Sequence, residues 1–257
     1  MLKAIYKRVF SERQRNDFHF FLFQFRALKY KGSAVECNCC GNEFSEFLAY
    51  GNEERENAIC PRCNSLERNR VLWMYLEKKL EITKRHWKVL HFAPERTLEK
   101  RFKTLSNISY FGVDLNPQLA DYQVDITDIP YKKNTFDLII CSHVLGHVPD
   151  EPKAIQEMKR VLSPDGLAII MTVIDINNKE TYENPTVKTP AERLKNYGED
   201  DLTRLHGMDF GQRLAKEGFE VERLDYRLTF SEAEQQRFGL GRGEREVLYL
   251  CKNKHKI

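Results

Sequence analysis

The 257-residue chain has no run of about 20 apolar residues, the length needed to cross a bilayer. Nor does it have the continuous apolar core of a secretory leader, since the cluster from Phe18 to Phe25 is broken by His19 and Gln24. The expected location is therefore cytoplasmic, and disulfides are not expected there, so seven cysteines need another use. Net charge is only +3, which argues against a broad nucleic-acid surface. Internal repeats and low-complexity tracts are also missing.

What is present describes a globular protein: 41% hydrophobic and 31% charged residues, in a length that suits one α/β domain with a small appendage. Four segments are expected. Residues 1–35 form a basic, aromatic-rich helical segment with eight Lys or Arg against two acids, leaving the remainder at −3. Its simplest use is to dock on the body of the protein; peripheral contact with a membrane surface through residues 1–31 is the alternative. Residues 36–64 carry paired cysteines, residues 65–87 a connecting helix, and residues 88–257 the α/β domain.

Cys37-x2-Cys40 and Cys60-x2-Cys63 are separated by nineteen residues. Each pair offers two thiolates from one tight turn, and two such pairs close a tetrahedral zinc shell with no open position. Such a site is structural: it folds a segment too small to bury its own core. Cys39 falls outside this bite and is expected to be a bystander, and Cys141 and Cys251 to be core residues. Asn64 is predicted to cap the next helix, with Glu67 completing a capping box and Val71, Leu72, Tyr75, Leu76 and Leu80 forming the apolar stripe.

From residue 88 short apolar runs alternate with amphipathic stretches. Strands are predicted at 89–92, 109–115, 122–125, 136–141, 167–174, 219–226 and 246–251, and helices at 95–104, 152–162 and 210–217. This rhythm implies a mostly parallel Rossmann-like sheet with helices on both faces. In such a sheet a ligand sits beyond the carboxyl ends of the strands, and an acid ending the second strand, here Asp114, is placed to accept from ribose hydroxyls.

Gly112-Val113-Asp114-Leu115, Val124-Asp125-Ile126-Thr127-Asp128-Ile129-Pro130, the block Phe136 to Leu145, and Val161-Leu162-Ser163-Pro164-Asp165-Gly166 together resemble the successive motifs of class I methyltransferases of the type-11 group. The upstream part resembles a narrower bacterial set, in which CxxC and CPxC pairs and a Ser-Leu-Glu-Arg helix start (Ser65 to Arg68) precede a first motif reading His-x-Ala-Pro-Glu (His91 to Glu95). The resemblance implies S-adenosylmethionine as cofactor alongside structural Zn2+. It implies Asp114 and Leu115 at the ribose, Asp125 and Ile126 at the adenine, the Cys141 backbone at the methionine part, and His91, Ala93 and Glu95 in the first loop. Ordinary members carry glycines in that loop; here they are absent, and Glu95 is expected to meet the cofactor's amino group instead.

His143 and His147 follow the fourth strand and are the candidate general bases for an O- or N-methylation. Asp201 to Asp209 resembles a second signature, usually Asp-His-Val-Arg-x-Tyr-Gly. Leu202 and His206 depart from it, as does Gly146 from a usual glutamate, and Arg204 and His206 are candidates to hold an anionic acceptor. The expected partner is a small-molecule or glycan acceptor. Two other readings stay open: an RNA methyltransferase, because a zinc ribbon precedes the same domain in some rRNA enzymes, and a non-catalytic adaptor with a worn cofactor loop.

Overall fold

Helix α1 (Glu12–Arg26) leads through a 3-10 turn (Ala27–Tyr30) into two short antiparallel hairpins, β1 (Val35–Cys37) with β2 (Asn42–Phe44) and β3 (Leu48–Tyr50) with β4 (Arg55–Ile59). The structure, a computed structural model, describes residues 12–51 and 54–254. Part of the basic segment expected at 1–35, with Lys3, Lys7 and Arg8, therefore lies outside the described residues.

Helix α2 (Glu67–Met74) starts later than its sequence suggests. Asn64 does not cap it. Its backbone is left-handed, at φ +57°, its amide returns to the Cys60 carbonyl at 3.1 Å, and its Oδ1 accepts from Arg26 Nη2 at 2.7 Å. The cap belongs to Asn69, whose Oδ1 accepts the Leu66 amide at 2.8 Å. Glu67 instead pairs with Arg55 at 3.0 Å. Asparagine tolerates the left-handed region as readily as it caps, and the turn after a cysteine pair needs the former.

The remainder forms one seven-stranded sheet. Its strands in chain order are β5 (Trp87–Phe92), β6 (Ile108–Asp114), β7 (Tyr122–Gln123), β8 (Phe136–Ser142), β9 (Leu162–Met171), β10 (Phe219–Leu224) and β11 (Leu248–Asn253). Across the sheet they run β7-β6-β5-β8-β9-β11-β10, parallel except for β11, which pairs antiparallel with both neighbours. The order reverses at β5, which lies between β6 and β8; this switch point is where an open parallel sheet leaves a crevice. Helices α3 (Arg96–Lys103), α4 (Glu151–Val161) and α6 (Phe210–Lys216) cover the sheet, α5 (Pro190–Tyr197) lies in the connection between β9 and α6, and α7 (Glu232–Phe238) precedes the last strand.

Alternate residues of the central strands feed two cores. Val89, Leu138, Ile140 and Ile169 pack with Trp73 of α2 and Leu76 just after it on one side. Leu90, Ile139, Cys141 and Ile170 pack with Ile155, Met158, Phe210 and Leu214 on the other. The cysteine module thus shares a core with the sheet. Arg70 fixes that arrangement: fully buried, it donates to the carbonyls of Ser65 and Ala58 within the module and to Phe238 and Gly239 just before the last strand.

Candidate active site and cysteine cluster

Cys37, Cys40, Cys60 and Cys63 bring their sulfurs within 4.8 Å of one another. The Cys37–Cys63 separation is 3.6 Å and that of Cys40–Cys60 is 3.9 Å. A zinc tetrahedron with bonds of about 2.3 Å has edges of about 3.8 Å, so the cage has the right size for the ion and is far too wide for disulfides. Each pair closes in the same way, with a residue in the left-handed region one place beyond it, Gly41 at φ +66° and Asn64 at +57°. Cys39 is buried outside the cage, and Ser65 Oγ lies 3.1 Å from Cys37 Sγ and 3.3 Å from Cys63 Sγ.

The first loop leaves β5 through Ala93, at φ +46°, whose backbone N–H donates to the Val113 carbonyl at 2.8 Å. Alanine here takes a conformation that glycine adopts more easily. The turn sends Glu95 back over the strand ends. Its Oε1 accepts from Asn69 Nδ2 at 2.9 Å and Ser142 Oγ at 3.2 Å, and Arg68 Nε lies 3.4 Å away. His91 is fully buried, with Nδ1 3.1 Å from the Tyr110 hydroxyl and Nε2 3.3 Å from Glu95 Oε2. Burial alone would raise the Glu95 pKa; the His91 ring and the Arg68 charge reverse this and hold it at about 2.

A cavity of about 560 Å³ lies over this loop. Asp114, Gln118 and Leu119 line one part and Asn64, Leu66 and Arg68 another, while His19, Phe20 and Phe23 of α1 also face it. Asp114 ends β6 and its Oδ1 accepts the Asn116 amide at 2.7 Å, leaving Oδ2 to other partners. Leu115 is 66% exposed. Asp125 sits on an exposed turn, accepting from the Thr127 amide and hydroxyl, and Ile126 is buried beneath it. Neither borders the cavity, whose wall stops short of them. The Cys141 side chain lies in the core; its neighbour Ser142 reaches Glu95, because successive residues of a strand face opposite ways.

A larger cleft of about 1210 Å³ opens beside the first, beyond β8 and β9. Leu66 and Arg68 border both spaces. His143 is on its wall, in the left-handed region at φ +57°, and its Nε2 donates to the Arg245 carbonyl at 3.1 Å, so Nδ1 carries the lone pair. Burial, and then the Arg68 charge, hold this imidazole well below its ordinary pKa and therefore neutral. His147, by contrast, lies at the rim with Nδ1 3.2 Å from Asp201.

Arg204 and His206, expected to meet an anionic acceptor, border the larger cleft, with most of their polar atoms engaged by its wall. Arg204 is 1% exposed and donates to the carbonyls of Leu145, Val148 and Pro149 and to Glu183. His206 bridges Thr172 at 2.9 Å and Glu151 at 2.6 Å. A Cβ on Gly146 would come within 2.7 Å of Leu202 Cδ2, the end of a side chain that can turn aside.

Residues 96–170 match the family model described as a methyltransferase domain. The chain carries a class I methyltransferase fold. It is 33% identical over 64 residues to a 2-phytyl-1,4-naphtoquinone methyltransferase of Nostoc sp., covering 25% of this chain and 28% of that one. It is 36% identical over 73 residues to a demethylmenaquinone methyltransferase of Staphylococcus carnosus, covering 28% and 26%. The chain thus spans little more than a quarter of the curated relatives it matches. Among solved structures, the cyclase SpnF superposes with a TM-score of 0.52 at 14% identity over 95% of this chain and 97% of its own, which extends the fold likeness across the molecule.

The sequence did not mark Arg68, Asn69 and Ser142 as site residues. The signal lay in the Ser-Leu-Glu-Arg run, readable only as a helix start until the fold turned that start toward the strand ends.

Proposed function

We propose that this protein transfers a methyl group from S-adenosylmethionine to O or N of a small molecule, on a scaffold that includes a tetrathiolate zinc. One observation carries the reading: the cavity holding Asp114 meets the larger cleft at Leu66 and Arg68, so that donor and acceptor would lie in adjoining spaces. The relatives' quinone substrates favour a small acceptor over a glycan or RNA. When bound, S-adenosylmethionine supplies an electrophilic methyl on a sulfonium. The chain's residues then have separable tasks. Asp114 accepts from the ribose hydroxyls. Glu95, ionised at neutral pH, attracts the cofactor's ammonium end. His143, neutral with its Nδ1 lone pair available, accepts the acceptor's proton.

Cys37, Cys40, Cys60 and Cys63 would hold the zinc, and the closed cage gives it a structural rather than a Lewis-acid task. Isothermal titration of the purified protein with S-adenosylhomocysteine tests the reading. Saturable binding at one site per chain is expected, and no binding would overturn it.

A further inference from the structure

The guanidinium of Arg68 is placed unusually for a partly buried cation. It comes from the first turn of α2, five residues beyond the zinc-cage ligand Cys63, and its side chain is 18% exposed. Among the described residues its one polar partner is Glu95, with Nε 3.4 Å from Oε1, and Nη1 and Nη2 make no hydrogen bond to any of them. The more deeply buried Arg70 and Arg204, by contrast, spend their outer nitrogens on carbonyls and a carboxylate. A half-buried fork with its outer donors unspent is a carboxylate or phosphate receptor, since planar paired donors match two oxygens.

Its position selects the carboxylate. Arg68 borders both the Asp114 cavity and the acceptor cleft. The methyl must be presented where those spaces meet, so the cofactor's amino-acid end lies at the Arg68 end and its ribose at the Asp114 end. That end carries one ammonium and one carboxylate, and the protein offers Glu95 and Arg68 beside each other, one charge of each sign. We propose that Arg68 binds the carboxylate of the cofactor's methionine portion, so that the zinc module, through α2, supplies part of the cofactor site. This rests on the cofactor reading above. It explains how a loop without glycines can hold the ligand: donors that a tight loop would offer from its backbone come here from a neighbouring helix.

Two ligands test it by calorimetry, S-adenosylhomocysteine and 5′-methylthioadenosine, which keeps the adenosine and thioether but lacks the amino-acid end. Arg68→Ala should weaken S-adenosylhomocysteine about 10- to 100-fold, the usual worth of a charge-assisted pair, while leaving methylthioadenosine within about twofold. Arg68→Lys, keeping charge without the fork, should fall between Ala and wild type. Arg68→Gln, which keeps most of the stem, serves if the alanine variant does not fold. Equal loss for both ligands would assign Arg68 a structural role and overturn the proposal. Unchanged S-adenosylhomocysteine affinity would overturn it too, with any rise in acceptor KM then placing the carboxylate on the acceptor. Failure of the wild type to bind S-adenosylhomocysteine would overturn the cofactor reading along with it.

Discussion

Asn69 joins two parts of the molecule with one side chain: its Oδ1 accepts the Leu66 amide at 2.8 Å and its Nδ2 donates to Glu95 Oε1 at 2.9 Å. The residue that caps the helix leaving the cysteine module therefore also anchors the first loop of the sheet. Asn69→Ala should cost about 1–2 kcal/mol, the worth of a lost cap, read as a fall of several degrees in Tm. Asn69→Asp keeps the cap acceptor but sets a second carboxylate against Glu95, and should be the less stable of the two. If Asp equals wild type in thermal denaturation, the pairing does not matter.

Metal analysis of the purified protein should find one zinc per chain. Serine at Cys37, Cys40, Cys60 or Cys63 should abolish that stoichiometry and destabilise the fold, because the module borrows its stability from the ion. Cys39→Ser should retain the zinc, since that thiol lies outside the cage. Metal-free wild-type protein with unchanged stability would refute the assignment.

Glu95 makes stability depend on pH in a defined direction. Its folded pKa of about 2 lies below the value near 4.3 of an unfolded glutamate, so its contribution is present in full above that pH and fades as pH falls toward 2. The maximum contribution is on the order of 3 kcal/mol. Glu95→Gln should be less stable than wild type at pH 7 and lose less stability between pH 6 and pH 3 in urea titrations. Parallel pH dependence of the two proteins would remove Glu95 from the acid transition.

His143→Ala should lower turnover by about 10²- to 10⁴-fold while S-adenosylhomocysteine affinity changes little. Because the folded environment depresses this pKa, the wild-type rate should stay flat through neutrality and decline only below the usual histidine range. A rate unaffected by the substitution would leave His143 as a residue that shapes the β8 turn.

The strand and helix rhythm was legible because the central strands are buried on both faces and so read as apolar runs, as in residues 138–141. The four-cysteine cluster was legible because thiol spacing within one turn is local chemistry. What escaped was long-range. Glu95 takes its partners from 26, 27 and 47 residues away, and nothing local in Asn69, Arg68 or Ser142 announces that. The sequence likewise offered Arg204 and His206 as acceptor ligands without announcing that the wall around them would bury both. Asn64 shows that one residue type serves two backbone states, and only the cysteine turn before it decides which.

The clamp made by Arg70 bears on the order in which the chain can be completed. Its carbonyl partners Phe238 and Gly239 lie 168 and 169 residues downstream. During synthesis the cysteine module emerges long before the acceptors that satisfy the buried arginine beside it. The module stays partly open until those acceptors are made, so its stability belongs to the assembled domain rather than to the cysteine segment alone.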